Sequence, residues 1–319
     1  MSKLREIRHQ VSFRYHWSSE IYGRGATYRE LFALPKFLPL LFTSDHGVAF
    51  DSFIDPQIVR KRRFFKLHVT NNPIVVEVLP NRPFRFVFTL RTPHPWIQKK
   101  NRVNLRQNSN ASGTIFFPSH FAGGVDVIGI DDNASIKYLR SLDALYSPIT
   151  VCFYYADMNG SRPSLFQSAG FEVTTIGSPF RPDYFEEFYR QVSSKSYAIT
   201  EDWTSAVFYC VDLGIPTQVI PRGIRVVDQA TQKDLIDESD LYFSEIFPIA
   251  NKLFNHQPSV VTEEQETFVR RYLGYDYLFN LRKAIVLVHI WHWLMLFPWV
   301  LFVLPSRIYF AMKRAAVRD

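Results

Sequence analysis

The chain reads as an α/β protein built on parallel sheet, with a helical and strongly apolar C-terminal end. Three observations predict this. From Gly113 to Pro221 short apolar runs alternate with stretches of helical pattern, the rhythm of parallel strands joined by crossover helices. A run of turn formers, Asn104 to Gly113 (NLRQNSNASG), separates that part from a strand-rich N-terminal part. Finally, Ala284 to Pro305 (AIVLVHIWHWLMLFPWVLFVLP) carries no formal charge.

In the N-terminal part the expected strands are Leu38–Thr43, Phe64–Val69, Ile74–Val78 and Phe84–Leu90. After the boundary, Thr114–Phe117 is a buried strand that ends in Pro118-Ser119-His120. Ser135–Ala144 is helical in pattern and Thr150–Tyr155 is the second strand. Arg162–Ala169 is a helix closed by Gly170, and Phe171–Ile176 is a strand ending at Gly177. Asp183–Ser193 is a helix with acids at its start. Ser196–Ile199, the helix Thr204–Leu213 closed by Gly214, and the strand Thr217–Ile220 complete the alternation. Helical pattern then runs from Glu238 to Phe254 and from Glu263 to Leu281. The expected organisation is an N-terminal α/β unit over 1–108, a Rossmann-like unit over 109–230, a helical return segment over 231–281 and a membrane-associated tail over 282–319.

The tail is long enough to span a bilayer, where roughly 20 apolar residues suffice. Arg282-Lys283 precede it, and Arg307, Lys313, Arg314 and Arg318 follow, so the basic flanks set no direction across a membrane. Pro298 interrupts it, His289 and His292 sit inside it, and Trp291, Trp293 and Trp299 suit an interface. The expected geometry is a helix broken near Pro298 that dips into one leaflet with both ends on the same side. A single span and a buried core helix are the alternatives.

Composition narrows the function classes. The 319 residues allow two units, 47% hydrophobic content is ample for a core, and the net charge is +7. Basic runs at Arg60-Lys61-Arg62-Arg63 and Lys99-Lys100 suit anionic headgroups or phosphorylated substrates. No zinc spacing, RNA-binding signature or helix-turn-helix points to nucleic acid. Only Cys152 and Cys210 occur, each in an apolar stretch, which fits a reducing compartment. The start MSKLREIRHQ lacks an apolar signal core, so secretion is not expected.

In a parallel sheet, ligands sit beyond the carboxyl ends of the strands. There the most informative stretch is Tyr197 to Ile220, where Glu201-Asp202 follow a strand and Thr204-Ser205 open a helix. Hydroxyls and free N–H groups at a helix start bind phosphate, and the two acids can accept from a ribose or a sugar. Plain capping beside a solvated acidic turn is the alternative.

This stretch resembles the nucleotide-binding end of GT-B glycosyltransferases, in which a Ser/Thr helix start holds the donor phosphates before a "GIP"-like turn. More narrowly, the chain is similar to transferases of bacterial capsule and O-antigen assembly, relatives of sialyl- and Kdo-transferases. The resemblance covers about Gly113 to Pro221, and Ser44 to Asp51 more loosely. It implies a GT-B-like pair of Rossmann-like units. The His-Pro pair of bacterial sialyltransferases lies in their donor unit, whereas His94-Pro95 precedes it here, so that role is not carried onto His94. The corresponding donor-side position is His120. With Ser119 and the close-approach glycines Gly123 and Gly124, His120 forms a second donor-binding candidate, a capping histidine in a tight loop being the alternative. Asp45-His46, after an N-terminal strand, is the candidate general base, a turn with a polar histidine being the alternative; the resemblance implies that this loop faces the same cleft, with Gly23, Arg24 and Gly25 on the acceptor side.

No phosphate-binding GxxxxGK[ST] loop, GxSxG elbow, HExxH or DxD triplet is present, so a metal-independent mechanism is expected, with no cofactor beyond a nucleotide-sugar co-substrate. Arg181, Arg222 and Arg225 are further cations near the donor side. The expected activity is a membrane-associated glycosyltransferase acting on a lipid-linked or lipopolysaccharide acceptor at the cytoplasmic face of the inner membrane. The alternatives are a non-catalytic, membrane-anchored partner of polysaccharide assembly and a polyol-phosphate transferase on the same fold.

Overall fold

The computed structural model describes residues 17–45, 47–48, 66–71, 85–90, 94, 96, 110–120, 125–220, 225–228, 241–257, 259–275, 281–298, 300–301, 304–305, 308–309 and 312. The expected strand Ile74–Val78 lies outside them. The architecture is α/β, and the described residues form two parallel sheets and a short antiparallel ribbon.

The N-terminal sheet contains β1 (Thr43–Ser44), β2 (Lys66–Thr70) and β3 (Arg85–Thr89), all parallel, in that spatial order. The expected strand Leu38–Thr43 shrinks to two residues. Leu40, Leu41 and Phe42 serve as core side chains of a loop instead, buried with Phe32, Leu67 and Val69. Among the described residues, two short helices run ahead of the sheet, α1 (Trp17–Glu20) and α2 (Arg24–Leu31), joined by a 3-10 turn over Ile21–Gly23. The turn reverses at Gly23, whose φ is +71, and a Cβ there would lie 2.5 Å from the Pro182 carbonyl oxygen, so glycine is required twice over.

The larger sheet holds five parallel strands: β4 (Thr114–Phe117), β6 (Ile149–Phe153), β7 (Glu172–Thr175), β8 (Tyr197–Thr200) and β9 (Thr217–Val219). Their order is β7-β6-β4-β8-β9. The first strand is central, the chain winds outward on one side, and then it crosses back to build the other. Alternating residues feed opposite cores: Ile115, Cys152 and Ala198 face one layer, while Phe116, Val151, Phe153 and Ile199 face the other. The second layer is closed by α3 (Asp132–Arg140) and α4 (Ser161–Ser168), through Ile136, Leu139 and Phe166. The first is closed by α5 (Tyr184–Val192) and α6 (Ser205–Asp212). On α5, Phe185, Phe188, Tyr189 and Val192 recur at helical spacing, with Glu186 and Glu187 in the first turn and Arg190 in the last, as the helix dipole favours. Helix α6 is buried from Val207 to Asp212 because α8 (Glu263–Tyr272) covers its outer side, with Phe268 and Tyr272 near Phe208. Before it, α7 (Leu241–Phe254) adds Phe254 to the same core, and a capping box between Thr262 and Gln265 starts α8. The ribbon of β5 (Val125–Ile128) and β10 (Arg225–Asp228), antiparallel, was not legible in the sequence pattern.

The tail forms α9 (Leu281–Pro298), and its inner face is part of the N-terminal core. Ala284, Val288 and Trp291 are buried in the N-terminal core against Phe32, Leu41 and Phe42. Trp291 Nε1 donates to the Leu41 carbonyl at 2.7 Å, His289 Nε2 bonds the Phe32 carbonyl at 2.7 Å, and the Leu41 N–H donates to His292 Nε2 at 3.2 Å. These polar groups point into protein rather than lipid. The outer face is apolar throughout: Val286, Ile290, Trp293, Leu294, Phe297 and Leu301 are exposed, Trp293 at 74%. Among the described residues no helix is long and apolar enough to cross a membrane.

Candidate functional site

The strand order puts the topological switch point at the carboxyl ends of β4 and β8, where chain segments leave in opposite directions. Ser119 and His120 follow β4, and Glu201 to Ser205 follow β8. Glu201 is buried and ties the edge together. One oxygen accepts from the Ser119 N–H at 2.8 Å, and the other accepts from the Ser135 hydroxyl on α3. Arg162 of α4 reinforces the corner with a two-pronged ion pair to Asp132 (2.7–3.1 Å) and a bond to the Ser119 carbonyl at 2.8 Å. Burial raises the Glu201 carboxyl above its ordinary range, opposed by those two hydrogen bonds. Both Glu201 oxygens are therefore already engaged, one with the loop after β4 and the other with α3. His120 stacks on Tyr154 with ring centres 4.4 Å apart.

Asp202 accepts the Trp203 N–H at 2.7 Å, and burial pushes its carboxyl up to about 6. Thr204 is the N-cap of α6, with extended backbone, yet its hydroxyl makes no capping bond. Buried side-chain polar atoms without a partner are exceptions in folded proteins. Among the described residues they are the Ser119, Thr200 and Thr204 hydroxyls, Asp157 Oδ2 and Arg24 Nε. Three of these are hydroxyls at the ends of β4 and β8. Asp157 follows β6, and its Oδ2 makes no hydrogen bond but lies 3.5 Å from Arg162 Nη1 as an ion pair. The orphaned hydroxyls thus gather at the carboxyl edge, with Arg24 Nε on the facing side.

That facing side is a crevice at the carboxyl ends of all three N-terminal strands. It is lined by Asp45 and Gly47 after β1, Val69, Thr70 and Asn71 at the end of β2, Leu90 after β3, and Arg24 and Tyr28 of α2. Asp45 is firmly held: Oδ1 lies 3.0 Å from His68 Nε2, and Oδ2 accepts the Asn71 N–H at 2.8 Å. The other ring nitrogen of His68 meets the Thr43 hydroxyl at 2.9 Å. Asp45 is thus paired with His68, which stands opposite Thr43 in the parallel register. His46, Gly123, Gly124 and Arg222 lie outside the described residues.

The crevice meets the donor-side corner directly. The Val48 N–H donates to Ser205 Oγ at 2.9 Å, and a Cβ on Gly47 would fall 2.4 Å from that oxygen. Arg24 is 2% exposed; its Nη1 donates to the Asp45 carbonyl at 2.5 Å and its Nη2 to the Tyr209 hydroxyl of α6 at 3.3 Å. The flanking Gly25 is close-packed against the Glu20–Arg29 pair. The sequence-derived candidates Arg24, Asp45 and Ser205 are thus brought together, while Ser119, His120 and Glu201 stand along the neighbouring strand ends. Arg181 instead pairs with Asp183 at the surface, and Arg225 sits on β10.

His94 is also part of this junction. It is fully buried, with Nε2 3.1 Å from Asp212 Oδ2, Nδ1 2.8 Å from the Tyr189 hydroxyl, and its ring stacked on Tyr209 at 4.4 Å. Burial lowers its pKa, against the opposing pull of Asp212. Sequence reasoning missed His68, Tyr209 and Arg162 because each acts through a partner distant in the chain. Among the described residues no cluster of three His, Cys, Asp or Glu side chains forms a metal site. Compared with known proteins, the chain matches no family model, no curated protein and no solved structure.

Proposed function

We propose that this chain is a glycosyltransferase with a GT-B-like arrangement, moving a sugar from a nucleotide-sugar donor to a lipid-linked or lipopolysaccharide acceptor. One juxtaposition carries the reading. The carboxyl ends of two parallel sheets open toward one another, with a held aspartate on one side and a helix N-terminus edged by orphaned hydroxyls on the other. Asp45 is the base that takes the proton of the acceptor hydroxyl, oriented by His68 and the Asn71 N–H. Thr204, Ser119 and the first N–H groups of α6 are the donor phosphate contacts. In this conformation the crevice has essentially no free volume, not enough for a water molecule. Ligand pockets run to about 300–1,000 Å³, so donor entry requires the Val48–Ser205 clasp to open.

The outer face of α9 lies in the plane of the membrane surface, at the cytoplasmic side of the inner membrane. Its apolar residues sit at the acyl boundary, and the exposed Arg282 and Lys283 at its start meet anionic headgroups. A non-catalytic membrane-anchored partner is the second reading. It is favoured by how completely Glu201 and Ser205 are engaged within the protein.

A panel of nucleotides and nucleotide sugars, screened by thermal unfolding, tests the proposal. A donor at a hundred times its Kd adds about 2.7 kcal/mol to the folded state. Asp45→Asn should then lower turnover by roughly 10²–10⁴-fold with donor affinity little changed. A chain stabilised by no member of the panel is not a nucleotide-sugar transferase. Donor binding without turnover selects the second reading.

A further inference from the structure

Among the described residues Arg24 has no counter-charge, and sugar transfer alone does not explain it. Among the described residues its contacts are all neutral: the Asp45 carbonyl, the Tyr209 hydroxyl, and the ring of Tyr22 at 5.4 Å from the guanidinium carbon. Its Nε–H is buried and meets no acceptor. A buried guanidinium without a carboxylate is costly, and a chain that keeps one holds it against its own stability. Asp45, beside it in the crevice, has its carboxylate turned to His68 and the Asn71 N–H. The crevice has essentially no free volume as it stands, so a ligand must first part its walls, and it then meets a cation and a carboxylate side by side.

We propose that the crevice binds an anionic sugar unit, its carboxylate or phosphate on Arg24 and a neighbouring hydroxyl on Asp45. Arginine suits either oxyanion because its fork of N–H donors matches both. Calling this unit the acceptor rests on the transferase reading; the anion site itself stands on Arg24 alone. The excess of positive charge over the whole chain, +7, favours approach of such a ligand.

The test titrates the full-length chain with D-glucuronate, D-glucose 6-phosphate and D-glucose at constant ionic strength, following heat and Tm. The two anionic sugars should bind, compete with each other and raise Tm, while glucose at the same concentration does neither. The tighter of the two identifies carboxylate or phosphate as the natural group. Arg24→Met should weaken both by roughly tenfold or more. Its Tm without ligand should equal or exceed the wild-type value, because a buried uncompensated charge is gone. An arginine kept only for packing gives the opposite sign. Arg24→Met protein that unfolds, or that binds as before, overturns the proposal. So does wild-type protein that binds glucose equally well or binds neither anionic sugar. Nucleotide-sugar binding, measured on the same samples, separates the two readings. Its absence with anion binding intact removes the transferase and leaves the site.

Discussion

Asp202 carries its proton near pH 6, where a surface aspartate would have lost it, because burial penalises the carboxylate. If it accepts a hydroxyl of the donor, the carboxylate is the binding form. Donor affinity is then full above pH 6 and declines as the pH falls through that value, approaching about tenfold per unit well below it. Asp202→Asn should flatten this profile, and titration calorimetry from pH 5 to 8 reads it directly. An unchanged slope in the variant would move the titrating group elsewhere. The same scale shows what a sequence conceals. Asp45 is legible as a strand-end carboxylate, but the groups that hold it come from far along the chain. The histidine that reaches Asp45 is His68, placed there by pairing of β1 with β2. Pairing register is not written in either segment alone.

Helix α9 shows one element serving two environments. Its inner face is core, with Ala284, Val288 and Trp291 sealed against Phe32 and Phe42, while Trp293 and Phe297 are 74% and 69% exposed. Removing the chain from Leu281 onward should therefore uncover the N-terminal core and destabilise the protein. Burial of each large apolar side chain stabilises by about 1.5–3 kcal/mol, so the loss is several times that. Replacing Trp293 and Phe297 by Ser should leave Tm nearly unchanged and release the chain from anionic vesicles, as flotation would measure. Equal vesicle binding by this double variant would leave the outer face without a role in membrane contact. The uncharged run signals burial of some kind, but its histidines looked like a liability in lipid. They are instead the residues that dock the helix, through the Phe32 carbonyl and the Leu41 N–H.

At the scale of the whole molecule, the two parallel sheets are joined by buried polar contacts: Arg24 to Tyr209, Val48 to Ser205, Asn71 to the Tyr272 carbonyl, and His94 to Asp212 and Tyr189. His94 makes this junction sensitive to acid. Its pKa is lowered from 6.5 by burial, so the folded state holds it neutral. Stability is then full above about pH 6.5 and falls with pH below it, as the unfolded chain takes the proton first. Asp212, the Tyr189, Tyr209 and Tyr275 hydroxyls and Arg24 surround it, and the Asp212 attraction limits the effect without reversing it. Wild-type Tm should drop more steeply between pH 7 and 5 than that of His94→Gln, measured by calorimetry. Parallel curves would place the acid sensitivity in another group.

Much of the larger sheet was determined by the sequence itself. The short apolar runs Thr114–Phe117, Ile149–Phe153 and Tyr197–Thr200, helix starts at acids and hydroxyls, and closing glycines at 170 and 214 are local features. They act over a few residues whatever the rest of the chain does. The strand-end positions Ser119, Asp45 and Ser205 followed, because parallel sheets open at their carboxyl ends. Tertiary structure alone decided which of these meet. The β5–β10 ribbon, the pairing of Asp45 with His68, the burial of Arg24 beneath Tyr209 and the docking of α9 on the N-terminal core all join segments far apart in the chain. Such contacts depend on register and on which apolar face finds which partner. These are properties of the packed whole, and no single segment encodes them.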